Sequence, residues 1–496
     1  MRIKSVLSKP YSHLISNQLA RDFKNPVACQ QKIFRDILAK GKLTAYGKKF
    51  GFDEINSYTD FQVKVPVAGY EEFRPWIERI SNGEKYVLWP GMPLYFAKTS
   101  GTTSGVKYIP VTQDSIHNHI DTARNALLNY IHVTGKSAFA DHRMIFLQGS
   151  PILEKHGVVD SGRLSGIAAH YVPGYLQKNR LPSWETNCME DWETKVDRIV
   201  EETIRQRMSL ISGIPSWLRM YFEKLVAKGG KPVGELFPDF QLLVYGGVNY
   251  EPYRTIFDQL VGRPIDTMEL FPASEGFFAF QDRFPADDLL LNINSGIFYE
   301  FIPLENYHQD NPERIPLEGV KCGIDYALIV TTNAGLYAYS VGDTVRFTST
   351  NPYRIKVSGR ISHFISAFGE HVIASEVESA LAETIKICPC SVREFTVAPF
   401  IHPDSGKSRH EWLIEFDRDP GSMEQFSAVL NAEMCKKNMY YNDLIKGHVL
   451  NGLLITKLSQ DAFNRYMKMR GMLGGQNKVP RLANDRAIAD ALTIQE

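Results

Sequence analysis

The chain has 496 residues, enough for two or three domains, and its 44% hydrophobic and 23% charged content is that of an ordinary soluble globular protein. Its 56 Lys and Arg balance 56 Asp and Glu, which argues against a nucleic-acid binder; such proteins normally carry a basic excess. Six scattered cysteines, with Cys388-Pro-Cys390 lacking a second pair at zinc spacing, read as reduced thiols. The start, Met1-Arg-Ile-Lys-Ser-Val-Leu7, has no leader-like apolar core, and no run has the length of a membrane span, so a cytoplasmic enzyme is expected.

In chain order, the first ninety residues read as helices and loops. Val27, Ile33, Phe34 and Ile37 form a helical stripe over 26–40. Turn signals at Asn82-Gly83 and Pro90-Gly91 precede Leu94–Ala97, a short strand. That strand feeds Thr99-Ser-Gly-Thr-Thr-Ser-Gly-Val-Lys107, with two glycines and five hydroxyl side chains. Glycine lets the backbone bend close to a ligand, and hydroxyl and N–H groups suit phosphate oxygens. The spacing is not that of the nucleotide-binding loop Gly-x-x-x-x-Gly-Lys-Ser/Thr.

From 108 to 270 helix and strand alternate. Ile116, Ile120, Ala123, Leu127 and Ile131 repeat at helical spacing, and Met144–Leu147 reads as a strand. Trp192, Val196, Ile199, Val200 and Ile204 mark a helix, Leu210–Ser212 a strand, and Pro215 opens a helix over 216–228. Phe240–Tyr245 is a buried strand ending at Gly246-Gly247. The alternation predicts an α/β domain with a largely parallel sheet, with both glycine-bearing loops at the carboxyl ends of its strands. From 289 to 358 the runs 289–293, 297–302, 326–332, 336–340 and 344–348 predict antiparallel or barrel-like sheet. Ser358-Gly-Arg-Ile-Ser362 is a hinge-like break, and Ser375-Glu-Val-Glu378 reads as a capping box. Strands near 393–399 and 411–417 and helices near 422–437 and 459–470 complete a small α+β domain. The expected division is therefore a large N-terminal α/β domain over 1–358, with sheets flanked by helices and a small β-barrel-like part, and a small mobile α+β domain over 359–496.

Five segments carry the chemistry: the hydroxyl stretch, Tyr245-Gly246-Gly247, Phe271-Pro-Ala-Ser274-Glu275-Gly276, Tyr339-Ser-Val-Gly342-Asp343 and Gly474-Gly-Gln-Asn-Lys478-Val-Pro-Arg481. Taken singly, each has an ordinary reading as turn or solvated surface. In this order they resemble the adenylate-forming superfamily of acyl-CoA synthetases, luciferases and peptide-synthetase adenylation domains; Ser358-Gly-Arg360 and Gly369–Glu378 match its hinge and the segment after it. Within it, Tyr-Gly-Gly, Phe-Pro-Ala-Ser-Glu, Tyr-Ser-Val-Gly-Asp and Gly-Gln-Asn-Lys-Val-Pro-Arg-Leu482 make the chain similar to the auxin-responsive Gretchen Hagen family of acyl-acid amido synthetases, in its bacterial branch. The resemblance covers about residues 20 to 485. It departs at Phe271, where plant members usually carry Tyr, and at Ser362, where the wider superfamily has an acidic pivot.

The resemblance implies a two-step reaction using ATP and Mg²⁺. A carboxylic acid attacks the α-phosphate, and an amine, expected to be an amino acid, then takes the acyl group. It implies that Thr99, Ser100, Gly101, Thr102, Thr103 and Gly105 hold the phosphates. Glu275 would place Mg²⁺, Ser274 would belong to the same nucleotide-binding motif, and Asp343 would bind the ribose. Phe271 with Gly246 and Gly247 would sandwich adenine, and Lys478 would serve the α-phosphate as the catalytic lysine, brought in by domain closure. A thioester-forming CoA ligase shares the first step; a silent nucleotide binder would be expected to have lost Glu275, Asp343 or Lys478, and all three are present. His117-Asn-His-Ile-Asp121 has the His-x-x-x-Asp spacing of some acyltransferases but reads as a solvated helical pair. The acid is not legible. Its pocket is sought in 120–175 and around Ser212–Trp217, where Tyr130, Tyr171, Trp217 and Tyr221 are either lining or core, and core is the better reading for most. No nucleic-acid or membrane partner is expected, and the oligomeric state is open.

Overall fold

The computed structural model describes residues 3–493, apart from 103–104, 173, 190, 248–249, 251–252, 308, 310, 362–363, 366, 371, 402–407 and 471–479. The strands are β1 (Tyr95–Thr102), β2 (Gly105–Val111), β3 (Arg143–Phe146), β4 (Glu154–His156), β5 (Val159–Gly162), β6 (Arg180–Leu181), β7 (Met208–Gly213), β8 (Leu242–Gly246), β9 (Asp266–Ala273), β10 (Gly276–Phe280), β11 (Leu289–Leu291), β12 (Ile297–Pro303), β13 (Ile315–Pro316), β14 (Asp325–Thr332), β15 (Tyr339–Thr350) and β16 (Tyr353–Arg360). The C-terminal part adds β17 (Phe364–Ile365), β18 (Val372–Ile373), β19 (Ser391–Phe400), β20 (Arg409–Arg418) and β21 (Leu454–Leu458).

The main sheet has twelve strands among the described residues, in the order β13-β12-β14-β15-β16-β11-β10-β9-β8-β7-β3-β6. From β9 to β6 neighbours run parallel; from β9 through β13 they run antiparallel. The antiparallel run of the sequence is thus the continuation of the parallel one. The runs at 336–340 and 344–348 merge into the single strand β15, whose irregular pairing with β14 and β16 takes up the polar interruption at Gly342-Asp343.

Alternation along the strands divides the core between the two faces. Leu210, Leu242, Val244 and Met268 pack with Ala126, Tyr130 and Ile131 of the helix Ile116–Thr134. Ile145, Ile211 and Leu243 on the opposite face pack with the helices Trp192–Thr203, Pro215–Gly229 and Arg254–Val261. Pro215 is the first residue of its helix and Gly230, at φ +66°, terminates it.

One expectation is corrected by this topology. The hydroxyl stretch does not hang from the large parallel sheet: β1 and β2 form a hairpin in a separate four-stranded sheet, β2-β1-β5-β4. Buried apolar residues at the base of the hairpin, Phe96 and Ala97 in β1 and Ile109 and Val111 in β2, anchor strands whose pairing continues into what reads locally as a loop.

The C-terminal residues form the sheet β19-β20-β21 and the small β17-β18 ladder. The apolar cluster on the second face of the main sheet also takes in Phe368, Val372, Phe395 and Trp412, so this part packs directly on the rest. The capping box lies two residues earlier than the sequence suggests. The helix runs Ala374–Ile387, and Glu376 rather than Glu378 accepts from the backbone at its start, from Ile373 N at 3.0 Å. Glu376 also accepts from Asn438 Nδ2 at 2.9 Å. Burial pushes the Glu376 carboxyl up to about 7 from its ordinary 4.5. The fold binds that proton more tightly than the unfolded chain. The associated stability is complete below pH 4.5 and is lost as pH rises through 7. Glu376→Gln is therefore expected to lose less stability than the wild type across that window, read as the pH dependence of the urea midpoint.

Candidate active site

The β1–β2 hairpin is held at its base from several sides. Register pairs Thr99 with Lys107 and Thr102 with Gly105, with an irregularity between Thr99 and Thr102. Tyr108 N donates to Tyr70 Oη at 2.9 Å, and the Tyr108 ring stacks on His156 with centroids 3.7 Å apart. Lys98 is ion-paired with Glu154. The half-buried Tyr440, from the C-terminal part, donates to Lys98 O at 2.9 Å and is hydrogen-bonded by the Thr99 side chain. Ser100, Gly101, Thr102 and Gly105 lie in the strands of this hairpin. Thr103 lies outside the described residues.

Gly246 ends β8 and Gly247 follows at φ +84°. A Cβ at Gly246 would stand 2.4 Å from Leu270 O, whereas one at Gly247 would meet nothing within 4 Å among the described residues. The two glycines therefore do different things: Gly246 admits the neighbouring strand, and Gly247 leaves open space in a left-handed turn. Gly246→Ala is expected to splay β8 from β9 and to lower the urea midpoint, because the added Cβ meets a backbone carbonyl that cannot turn aside.

Phe271 is buried, packed edge-to-face on Phe278 at 5.2 Å. Ala273 pairs with Gly276, so Ser274 and Glu275 form the two-residue turn of the β9–β10 hairpin, and Glu275 is buried despite its place in a turn. This turn is tied to the hydroxyl-rich hairpin by a single helix. Ile116–Thr134 begins just after β2, and its Asn118 Oδ1 accepts from Phe277 N at 2.6 Å. Sequence reasoning passed over Asn118; its position one turn into that helix was the only signal.

Asp343 is buried on β15, directly opposite Arg360 of β16. Gly342 adopts φ +91° and its carbonyl accepts from Ile361 N at 3.0 Å, which ties the Gly-Asp pair to the start of the hinge-like segment. One extended segment connects this region to the hairpin: Ser340 N donates to Ala68 O at 2.9 Å, and Tyr70 follows two residues later. Lys478 and Ser362 lie outside the described residues. Just beyond Lys478, Pro480–Ala483 runs along β19: Thr396 Oγ1 donates to Pro480 O at 2.7 Å and Val397 N to Arg481 O at 3.0 Å.

The contacts of the C-terminal part with this region were not foreseen. Arg163 pairs with Asp443, its guanidinium lies 4.6 Å over the Tyr440 ring, and Tyr253 Oη donates to Ala367 O at 2.8 Å. Of the aromatics considered for the acyl pocket, Tyr130 and Tyr221 are core, with hydroxyls on Asp266 (2.5 Å) and Thr203 (2.7 Å); Trp217 is also buried. Tyr171 is partly open beside Tyr95. His117 and Asp121 are an exposed pair 3.8 Å apart, the solvated arrangement expected of them. All six cysteines are free thiols, no described helix is long and apolar enough to cross a membrane, and the described residues hold no cluster of three or more metal-ligating side chains.

The fold is that of the adenylate-forming ligases. It overlays GH3.15 acyl acid amido synthetase with a TM-score of 0.61 at 17% identity, covering 97% of this chain and 96% of that one. It also overlays 2-hydroxyisobutyryl-CoA ligase, in complex with 2-HIB-AMP and CoA in the thioesterification state, with a TM-score of 0.59 at 14% identity, covering 95% and 92%. In sequence, the chain is 21% identical to indole-3-acetic acid-amido synthetase GH3.3 of Arabidopsis thaliana, over 99% of this chain and 96% of that protein. The GH3 family N-terminal, central and C-terminal domain models match residues 15–148, 290–360 and 375–487, together well over half of the chain. The chain belongs to the GH3 family.

Proposed function

We propose that the chain is an acyl-acid amido synthetase that adenylates a carboxylic acid with ATP and passes the acyl group to an amine, most simply an amino acid, releasing pyrophosphate and AMP. The observation that carries this reading is the link between the hydroxyl-rich hairpin and the buried Glu275 turn through the helix Ile116–Thr134 and its Asn118, the arrangement that a phosphate-binding hairpin and a metal-binding carboxylate would need. Relatives named as indole-3-acetic acid-amido synthetases and a jasmonoyl–L-amino acid synthetase support the same class.

On this reading the backbone of the β1–β2 hairpin, with the hydroxyls of Ser100, Thr102 and Thr103, holds the β- and γ-phosphates, and Thr99 links the hairpin to Tyr440. A single buried carboxylate, Glu275, suits Mg²⁺, which binds through one or two carboxylates plus substrate phosphates. When bound, the metal neutralises phosphate charge during attack on the α-phosphate. Asp343 accepts from the ribose hydroxyls. Adenine lies between the Gly246-Gly247 backbone and the Phe271 side of β9, with Ser274 in the adjoining turn. Lys478 meets the α-phosphate and the incoming carboxylate. Residues 1–358 form the body and 359–496 a lid whose rotation delivers and withdraws Lys478, within a reducing cytoplasmic setting that suits six free thiols.

The test is pyrophosphate release with ATP, Mg²⁺ and a panel of aryl and alkyl acids, then mass spectrometry after addition of pooled amino acids or CoA. Acid-dependent pyrophosphate and an amide product support the proposal. A thioester would assign the chain to the CoA ligases, and no pyrophosphate with any acid would refute adenylation.

A further inference from the structure

The first helix of the chain is turned inside out. Ile3–Asp22 packs along the helix Ile116–Thr134, and its buried positions are Ser5, Ser12 and Ile15. The Ser12 hydroxyl is satisfied within the helix, donating to Lys9 O at 2.7 Å. Val6, Leu7 and Leu14, by contrast, are 65%, 64% and 65% exposed, and Pro10 and Tyr11 are exposed with them. At about 3.6 residues per turn these five positions form one outward stripe, opposite Ser5 and Ser12. A single exposed leucine is ordinary, whereas a contiguous apolar stripe marks a contact surface.

Both edges of the stripe are basic. Residues 1–21 contain two Lys, two Arg and no Asp or Glu. On the edge beside Leu7 and Tyr11, Lys4 Nζ donates to Asn179 Oδ1 at 3.1 Å, and Asn179 is flanked in sequence by the exposed Lys178 and by Arg180. Arg143 donates to Lys178 O, and Arg180 Nη1 to Ala169 O at 3.1 Å; Nε and Nη2 of Arg180 have no partner among the described residues. The nearby Asp141 is engaged by the N–H groups of Lys4 and Ser5 at 3.0 and 3.3 Å. On the edge beside Val6, Lys9 is exposed and the His13 ring stands 5.3 Å from that of His132. Shape and charge decide what covers such a stripe. One face of a 20-residue helix, about 30 Å long and about 10 Å wide, offers about 300 Å², well short of the roughly 800 Å² per partner of a stable pair. A second copy would also set like-charged edges together. A lone helix is a convex ridge without a pocket for an anchoring side chain of a protein partner. An anionic bilayer needs no pocket: apolar side chains enter the acyl boundary while lysines reach the headgroups.

We propose that the helix Ile3–Asp22 is a docking surface for an anionic lipid bilayer. It lies in the plane of the bilayer, with Val6, Leu7, Pro10, Tyr11 and Leu14 at the boundary of headgroups and acyl chains and Lys4, Lys9 and Lys178 on lipid phosphates. Tyr11 suits that boundary, where an apolar ring and a polar hydroxyl are both accommodated. The expectation of no membrane partner rested on the lack of a spanning run, which a helix lying on a bilayer does not need. The contact is peripheral and does not depend on the ligase reading.

The experiment is co-sedimentation of the full chain with vesicles of equal parts phosphatidylcholine and phosphatidylglycerol, and with vesicles of phosphatidylcholine alone. The wild type is expected to bind the mixed vesicles about tenfold or more tightly than the neutral ones, and to be released by raised salt. Leu7→Ser combined with Leu14→Ser is expected to weaken that binding about tenfold or more, and Lys9→Gln combined with Lys178→Gln about tenfold. All four side chains are exposed, so both double variants are expected to keep the wild-type thermal midpoint. No preference for the mixed vesicles, or binding that neither double variant weakens, overturns the assignment. So does equally tight binding to polyglutamate, which would point to an acidic protein. A dimer in light scattering that the Leu7 and Leu14 double variant dissolves would give the stripe to a second copy and overturn it as well.

Discussion

Replacing Lys478 by alanine is expected to slow acid-dependent pyrophosphate release by roughly 10²–10³-fold, which corresponds to about 3–4 kcal/mol of transition-state stabilisation. On the proposed mechanism the lysine is the one cation delivered to the α-phosphate as charge gathers there, so its loss acts on kcat of the first step more than on ATP affinity. The chain just after it is fixed by backbone contacts, through Pro480 O and Arg481 O on β19, and by Arg481, which pairs with Glu378 at 3.3 Å and lies 4.6 Å from the Phe395 ring. That anchor is made by residues 480–483, so the thermal midpoint is expected to stay put. Transfer from a supplied acyl-adenylate to an amine should persist, because the α-phosphate bond is already made. Lys478→Arg is expected to rescue poorly, since a planar fork does not replace a compact ammonium. Single-turnover measurement of both half-reactions decides it: a first step within threefold of wild type would exclude the assigned role.

The second large effect concerns stability. Glu300 on β12 and Arg314 form an ion pair at 3.4 Å with side chains 0% and 3% exposed. Tyr58 Oη donates to the same carboxylate oxygen at 2.9 Å, and the guanidinium lies 5.4 Å over the Phe61 ring. Burial raises the Glu300 carboxyl, with the Arg314 charge opposing the shift. Removing one partner leaves the other charge desolvated, so Glu300→Ala is expected to cost about 3–5 kcal/mol, read as a drop in the urea midpoint. Replacing both with apolar residues, Glu300→Leu with Arg314→Met, should recover most of that loss, because a buried pair repays its desolvation only in part. If the double variant is as unstable as the single one, the pair does more than compensate itself.

Local signals carried much of this protein. Period-3.6 patterns placed the helices beginning at Pro26, Ile116 and Trp192, and a proline at the first turn placed the one beginning at Pro215. Glycine, hydroxyl and carboxylate spacing identified the family, because each of its motifs is a short stretch of neighbouring residues. The same signals misplaced the cap of the helix Ala374–Ile387, where Glu376 and Glu378 are equally good on paper. On the helix Ile116–Thr134 the ends of the stripe, Ile116 and Ile131, are fully buried while Ile120, Ala123 and Leu127 are only partly so, and polar residues such as His119 share the buried face.

What only the tertiary structure decided follows from long-range geometry. Sequence could name the hydroxyl stretch but not its separate sheet, since strand pairing between β1 and β5 is set by residues some sixty apart. It could count two glycines after Tyr245 but not assign one to the Leu270 carbonyl and the other to open space. Nor could it join Tyr440 to Lys98 or Asn118 to Phe277. The sequence by itself determined the chemistry available to this protein and the family to which it belongs. Packing of distant segments decided which of those groups stand together, because burial, unlike periodicity, is a property of the whole chain.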